Sequence, residues 1–340
     1  MSGLIRAELR RLFKRRVTRL MLVLLVLGLG GIVTAISLTS EQLGPEQVAA
    51  AEARAQQDYE RAVVDYQRSI AECEAAEARG ENTEERWGPD CGRQWSPQRE
   101  DFQADWFLPY EFNFRAEFGI YVGVFAGIVA MVAFIVAASY VGAEWHHGGM
   151  MNLLLWRPKR LSVLFTKLGV LLGSLLTISV VLGALWTVAF WLIGKYDGQT
   201  GQMTQGAWQS AALSGARGVG LVLAVAGVAF GLASIGRHTA MALGVAVGLG
   251  VVSEILLRMV LEAAGVTFAG RYVLSSYVAA WFEKSWKLTN WNSCNFSTGA
   301  GECTPDTLII TWQQSGVVFG AGTALVLALA IWFMRTRDIT

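Results

Sequence analysis

Six long stretches of the chain contain almost no charged residues, and each is long enough to cross a bilayer. An apolar helix of about twenty residues spans roughly 30 Å of hydrocarbon. The pattern therefore predicts an all-α integral membrane protein with six transmembrane helices. The predicted spans are 20–39, 118–141, 164–194, 211–235, 239–261 and 316–334, so that residues 118–335 contain spans two to six.

The segment before the first span, residues 1–19, is strongly basic and has one carboxylate, Glu8. Basic residues next to a span remain in the cytoplasm, so the N-terminus is predicted to be inside. An even number of spans returns the tail 336–340 to the same side. A cleaved signal peptide would begin similarly, but the length of the apolar stretch and the spans that follow favour a retained anchor.

The two sides of the membrane differ in charge. Between Glu41 and Glu117 there are 18 Asp and Glu residues against eight Arg and no Lys, whereas the predicted inner segments are basic. Overall, 53% of residues are hydrophobic, 16% are charged and the net charge is +1. This composition is typical of a membrane protein, and we expect no nucleic-acid partner.

All four cysteines lie in the two predicted outer segments, 40–117 and 262–315. Disulfides persist outside the cytoplasm, so two local bridges are expected, although four cysteines permit three pairings and free thiols are the alternative. A zinc site is not expected, because neither pair has C-x-x-C spacing. The expected bridges join Cys73 to Cys91 and Cys294 to Cys303.

Residues 46–79 of the first outer segment predict an amphipathic helix with one apolar stripe. The stripe needs a partner, either the returning stretch 93–115 or the same helix of a second copy. The aromatic residues of 93–115 indicate an interfacial belt, with a surface that receives substrate as the alternative. Residues 272–288 predict a short interfacial or re-entrant helix. The stripe comprises Val48, Ala55, Tyr59, Val63, Tyr66, Ile70 and Cys73.

Ionisable residues within spans are costly and therefore mark either a structural pair or a transport pathway. Glu254 and Arg258 lie four residues apart in the fifth span, a spacing that permits a local salt bridge. Arg217 is expected to extend toward the headgroups. Two G-x-x-x-G motifs, at Gly227/Gly231 and Gly244/Gly248, predict close packing of spans four and five, with a dimer interface as the alternative.

The predicted inner loop 142–163 contains the most informative cluster of polar and basic residues. A carboxylate and two imidazoles precede a short apolar helix, and a proline and basic residues follow at the re-entry point. Adjacent imidazoles diverge on a helix, so a metal site is not expected. The loop is suited to contact with another protein inside the cell. Its candidate residues are Glu144, Trp145, His146, His147, Gly148, Pro158 and Arg160, followed by Lys167 in the next span.

The pattern of Glu144, Gly148, Pro158, Arg160 and Lys167 resembles the loop between spans two and three in permeases of type 2 ATP-binding-cassette (ABC) exporters. The basic amphipathic helix before the first span, the six spans and the tail Arg337-Asp338 are similar too. The resemblance implies that the loop forms a coupling helix that docks on an ATPase subunit. It also implies that the first helix lies along the inner membrane surface.

No segment has the phosphate-binding pattern G-x-x-x-x-G-K-[ST], so the chain is expected to be a non-catalytic subunit without a cofactor. The resemblance implies that a separate ATPase subunit binds ATP and Mg²⁺. It also implies a second permease, identical or paralogous, within the plasma membrane of a bacterium. The expected substrate is amphipathic, drug-like or lipid-like, moving near spans two and five. The alternative function is a membrane-anchored sensor or assembly factor whose outer domain binds a partner.

Overall fold

The structure is a computed structural model that describes residues 2–146, 160–290, 293 and 304–336. Within this part of the chain, six helices are long and apolar enough to cross a membrane, which confirms the all-α integral membrane protein with six spans. Most spans extend a few residues beyond the predicted bounds, because polar residues continue the helix past its apolar stretch. The spans are Arg16–Thr39, Phe114–Trp145, Leu161–Tyr196, Gln205–Gly236, Thr239–Ala263 and Trp312–Thr336.

We number the helices and strands in chain order. The helices are α1 Ser2–Lys14, α2 Arg16–Thr39, α3 Pro45–Ala78, α4 Glu84–Trp87, α5 Phe114–His146, α6 Arg160–Tyr196, α7 Gln205–Gly236, α8 Thr239–Gly250, α9 Arg258–Ala263, α10 Leu274–Glu283 and α11 Trp312–Thr336. The strands are β1 Phe112–Asn113, β2 Gly198–Gln199, β3 Ser285–Asn290 and β4 Asp306–Thr311. Between α8 and α9, Val251–Leu257 forms a π-helix, and four short 3₁₀ helices follow α4 or precede α10.

The chain divides into two compact units. The insertion unit consists of Thr34–Phe114 and Trp191–Gly201, and the span unit consists of Met1–Val33, Arg115–Phe190 and Gln202–Thr340. Helix α3 dominates the insertion unit, where the sequence predicts an amphipathic helix over 46–79. It begins at Pro45, a residue suited to the first helical position because it has no N–H to satisfy.

The apolar stripe of α3 packs on the returning stretch of its own chain. Tyr59 meets Phe102 edge to face, with 5.7 Å between ring centroids. The Tyr66 hydroxyl donates a hydrogen bond to the carbonyl of Arg93 at 3.0 Å. A disulfide between Cys73 and Cys91 fixes the far end of α3, as predicted. The other predicted pair, Cys294 and Cys303, lies outside the described residues.

In the span unit, the fourth and sixth spans approach closely at Gly227 and Gly231. A Cβ at Gly227 would lie 3.1 Å from Thr323, and one at Gly231 would lie 2.6 Å from Val326. The first G-x-x-x-G motif therefore serves spans four and six, and its assignment to spans four and five was wrong. Cβ atoms added at Gly244 or Gly248 would meet no atom within 4 Å of the described chain.

The predicted helix 272–288 is only partly correct. Helix α10 ends at Glu283, and Lys284 has a positive φ of 70° that turns the chain. Strand β3 then pairs antiparallel with β4 over six residue pairs, from Ser285↔Thr311 to Asn290↔Asp306. The partner strand lies some twenty residues further along the chain, so a local hydrophobic pattern could not reveal the pairing.

Arg217, which the sequence predicts to extend toward the headgroups, has hydrogen-bond partners within the protein. Its guanidinium donates hydrogen bonds to the carbonyls of Trp281 and Phe282 at 3.0 and 3.3 Å. The Trp281 indole N–H donates in return to the Arg217 carbonyl at 2.8 Å. These bonds fasten α10 to the fourth span, and the arginine stabilises the fold because its donors satisfy carbonyls that α10 leaves unpaired.

Candidate functional site

Five side chains from separate parts of the span unit meet where the predicted inner loop begins and ends. We call this set the charge cluster: Glu8, Arg15, Tyr140, Glu144 and Lys167. Glu8 lies on α1, and Arg15 lies at the junction between α1 and the first span. Tyr140 and Glu144 lie on the second span, and Lys167 on the third.

Lys167 lies between the two carboxylates. Its side chain is fully buried, and its Nζ is 2.6 Å from both Glu8 Oε2 and Glu144 Oε2. The Tyr140 hydroxyl, also buried, donates a hydrogen bond to Glu8 Oε2 at 2.6 Å. A buried ammonium group is tolerable only when opposite charges surround it. Lys167 therefore depends on Glu8 and Glu144 for its stability.

The environment of Glu8 favours its ionised form. Burial alone would raise the pKa of the carboxyl group, but the charge and hydrogen bond of Lys167, the Tyr140 hydroxyl and Arg11 outweigh it. The net effect lowers the pKa of Glu8 below its ordinary value of 4.5. Arg11, one turn along α1, forms a 3.0 Å ion pair with Glu8 Oε1. The ionised form of Glu8 therefore holds α1 against the second and third spans.

Arg15 connects the junction of α1 and the first span to the second span. One guanidinium nitrogen lies 2.7 Å from Glu144 Oε1, and the other donates to the carbonyl of Ser139 at 2.9 Å. Such a two-point contact fixes orientation as well as distance, because the guanidinium is planar. Glu144 consequently receives two cations, Arg15 and Lys167, from two different elements.

The end of the second span also contacts the turn between spans four and five. The Arg237 guanidinium lies over the Trp145 ring, 4.9 Å from its centroid. A Cβ added at Gly142 would lie 2.7 Å from the Thr239 Cα, so the two backbones approach too closely for a side chain there. The end of the second span is thus contacted from three sides: the junction after α1, the third span and the turn after the fourth span.

The structure brings together some of the residues that the sequence identified. Glu144 and Lys167 join in one ion-paired cluster, and Trp145 lies under the Arg237 guanidinium. His146 is the last residue of α5 and Arg160 is the first residue of α6. The predictions for His147, Gly148 and Pro158 concern positions outside the described residues.

Glu254 and Arg258, the other predicted charged pair, do not pair in the described part of the chain. Arg258 Nε lies 2.9 Å from Glu262 Oε1, and Glu254 Oε1 accepts the Ser275 backbone N–H at 2.9 Å. The π-helix over Val251–Leu257 explains the correction, because its wider turn removes the fourth residue from the face it would share in an α-helix. Glu254 instead satisfies a free N–H in the first turn of α10.

Sequence reasoning missed three members of the charge cluster: Glu8, Arg15 and Tyr140. Glu8 could have been identified, because it is the single carboxylate in the basic segment before the first span. An isolated carboxylate in such a segment indicates a specific partner. Arg15 was one of seven similar cations, and Tyr140 lies in a charge-free span. Only the fold distinguishes these two from their neighbours.

Comparison with protein families gives a match over almost the whole chain. The family model described as ABC-2 family transporter protein matches residues 3–335. No curated protein and no solved structure matches the chain significantly. The match includes α1, all six spans and the insertion unit, so it concerns the architecture as a whole and not a local motif.

Proposed function

The chain belongs to the ABC-2 family of transporter proteins and is a permease subunit of an ABC transporter; from this premise we propose that it exports an amphipathic, drug-like or lipid-like substrate across the plasma membrane of a bacterium. The family implies partnership with an ABC ATPase subunit, and its permeases are generally non-catalytic. Family membership favours transport over the alternative of a sensor or assembly factor.

We infer that the partner subunit binds ATP and Mg²⁺ and docks on the inner loop 142–163. Two permease copies, identical or paralogous, would enclose the pathway, because one chain supplies only six spans. The basic residues of α1 and of the loop ends favour a cytoplasmic position for this surface.

The observation that supports this mechanism is the charge cluster. A displacement of the inner loop would act on Glu144, two residues before α5 ends at His146. From there, Lys167 would transmit it to the third span and Arg15 to the junction between α1 and the first span. Buried ion pairs suit this role, because separating their partners would leave an uncompensated buried charge, which is strongly destabilising. Glu144 is on this view a positioning residue.

Affinity purification of the tagged full-length chain, followed by mass spectrometry, tests the partnership. We expect an ATPase subunit to co-purify with the chain. Inverted vesicles that contain both proteins should accumulate a fluorescent phosphatidylethanolamine in an ATP-dependent manner. Purification without an ATPase, together with vesicles that accumulate nothing, would instead support the sensor or assembly factor.

Glu144→Gln tests the mechanism in the same vesicles. The change keeps the size of the side chain and removes its charge. We expect normal insertion and ATPase binding but about two- to thirtyfold less transport for each ATP hydrolysed, the range that a coupling change of roughly 0.5–2 kcal/mol produces. Arg68→Ala is the matched control, since it removes an exposed ion pair with Asp65 on α3. Equal transport ratios for both variants would contradict the mechanism.

A further inference from the structure

A cavity of about 440 Å³ lies among the second, third and fourth spans, within the span unit. Its volume falls within the range of about 300–1,000 Å³ that is usual for small-molecule sites. Phe125 of the second span, Trp186 of the third and Trp208 of the fourth contribute aromatic walls. The described residues that line it are all uncharged, so it offers no counter-ion to a charged ligand.

The cavity is supported by close packing on both sides. The Trp186 ring lies 5.7 Å from the Phe125 ring, a contact that joins the third span to the second, and 4.7 Å from the Phe190 ring on its own span. The fourth span approaches the second at Gly218, where a Cβ would lie 3.0 Å from Ala126. The helices therefore pack tightly around the cavity while leaving the space itself open.

Two residues in the wall of this apolar space carry buried donors that have no hydrogen-bond partner in the described chain. Trp186 is 4% exposed and Ser179 is 1% exposed, and neither the indole N–H nor the hydroxyl is satisfied. By contrast, the hydroxyl of Thr187 on the same helix donates a hydrogen bond to the Gly183 carbonyl at 2.8 Å. An unsatisfied donor in a membrane interior costs free energy, so an acceptor supplied by a ligand would be stabilising.

One side of the cavity is open. Val180 on the third span and Trp208 on the fourth line it and are also 55% and 39% exposed. The opening therefore lies between these two spans, where a molecule dissolved in hydrocarbon could enter without crossing water.

We propose that this cavity binds a neutral hydrocarbon-chain molecule that carries one hydrogen-bond acceptor, such as an ester carbonyl. The hydrocarbon fills the aromatic space, and the carbonyl oxygen accepts from Trp186 Nε1 or Ser179 Oγ. A plain hydrocarbon would leave both donors unsatisfied, and an anion would find no cation in the wall. The proposal concerns binding alone and does not depend on transport or on an ATPase.

Photolabelling of the full-length chain in nanodiscs of dioleoylphosphatidylcholine tests the proposal. The probe is a diazirine analogue of methyl oleate, with unlabelled methyl oleate and 9-octadecene as competitors. We expect saturable labelling within 179–187 and 208–222. Methyl oleate should compete more strongly than 9-octadecene, because only the ester provides an acceptor. Labelling that does not saturate, or equal competition by both compounds, would overturn the proposal.

Two variants with matched controls test the residues. Trp186→Phe removes the N–H and should weaken labelling about two- to twelvefold, whereas Trp332→Phe on the sixth span should not change it. Gly215→Leu should abolish labelling, because a Cβ at Gly215 meets nothing within 4 Å and the new side chain would fill the cavity. Gly173→Leu, at an equally open position outside the cavity, should label normally.

Folding and self-association are measured on each variant by size-exclusion chromatography. Gly215→Leu with an unchanged elution profile and no labelling supports a ligand site. A wild type that does not label, combined with a Gly215→Leu variant that loses a dimer peak, would show that a second copy of the chain covers the cavity, and would overturn the proposal. If Gly215→Leu does not fold, the labelling of Trp186→Phe tests the proposal: weaker labelling supports it, and unchanged labelling overturns it.

Discussion

Lys167 is the residue on which the charge cluster depends most directly. It is fully buried and contacts both Glu8 and Glu144 at 2.6 Å. Replacing it with Met would leave the buried Glu8 and the partly buried Glu144 without their shared cation. Breaking a buried ion pair in this way costs about 3–5 kcal/mol. We therefore expect Lys167→Met to lower the thermal unfolding midpoint and the yield of membrane-inserted protein.

Lys195→Met provides the comparison for that measurement, because Lys195 is exposed and contacts the Trp191 and Tyr196 rings. The double variant Glu8→Gln with Lys167→Met should recover part of the loss, since it removes one of the stranded charges. Equal stability of Lys167→Met and Lys195→Met would contradict the account of the cluster.

Acidification should protonate Glu8 and so weaken the attachment of α1 to the second and third spans. The pKa of this carboxyl group is lower in the folded protein than its ordinary value of 4.5, so its contribution to stability is complete above that value and is lost as the pH falls through the folded-state pKa. Thermal unfolding of wild type and Glu8→Gln between about pH 7 and pH 3 measures this contribution. The difference between the two should shrink on acidification, and a constant difference would argue against the assignment.

At the scale of single elements, the disulfide at the far end of α3 can be tested by exchange of both cysteines for serine. The bridge joins residues 18 apart in sequence, and such loops contribute about 2–4 kcal/mol. Cys73→Ser with Cys91→Ser should therefore make the end of α3 more sensitive to limited proteolysis. Non-reducing peptide mapping of the wild type also tests the predicted Cys294–Cys303 bridge, and crossed pairing between the two segments would refute both assignments.

The packing of the fourth span on the sixth depends on Gly231. Leucine at this position would force the helices apart at Val326, and overpacking of this kind costs about 1–3 kcal/mol. Gly231→Leu should lower the unfolding midpoint by several degrees. Gly320→Leu on the sixth span, where nothing lies within 4 Å, should leave it unchanged. Similar midpoints for the two variants would mean that the close approach contributes little.

At the scale of the whole molecule, the charge asymmetry predicts the orientation. Cysteine introduced at Ser2 should react with a membrane-impermeant maleimide only after the cells are permeabilised, because the basic segment before the first span remains in the cytoplasm. Cysteine at Gln67, which is exposed on α3, should react in intact cells. The reverse pattern would place the inner loop on the wrong side for an ATPase.

The sequence alone determined the membrane class, the number of spans and the long amphipathic helix, and it predicted the Cys73–Cys91 bridge that the structure shows. These features are local: about twenty apolar residues must form a helix in hydrocarbon, and α3 repeats its apolar positions at helical spacing. Glu144 and Lys167 were also found from the sequence, through the loop pattern that contains them.

Only the tertiary structure decided which charges meet. Arg258 pairs with Glu262 and not with Glu254 because a π-helix changes the register between them. Glu8 forms an ion pair with Lys167, 159 residues further along the chain, and strand β3 pairs with β4 after a long connection. Hydrophobic periodicity specifies which face of a helix is apolar, but the partner of a buried charge depends on how helices pack, and that is settled by contacts between distant parts of the chain.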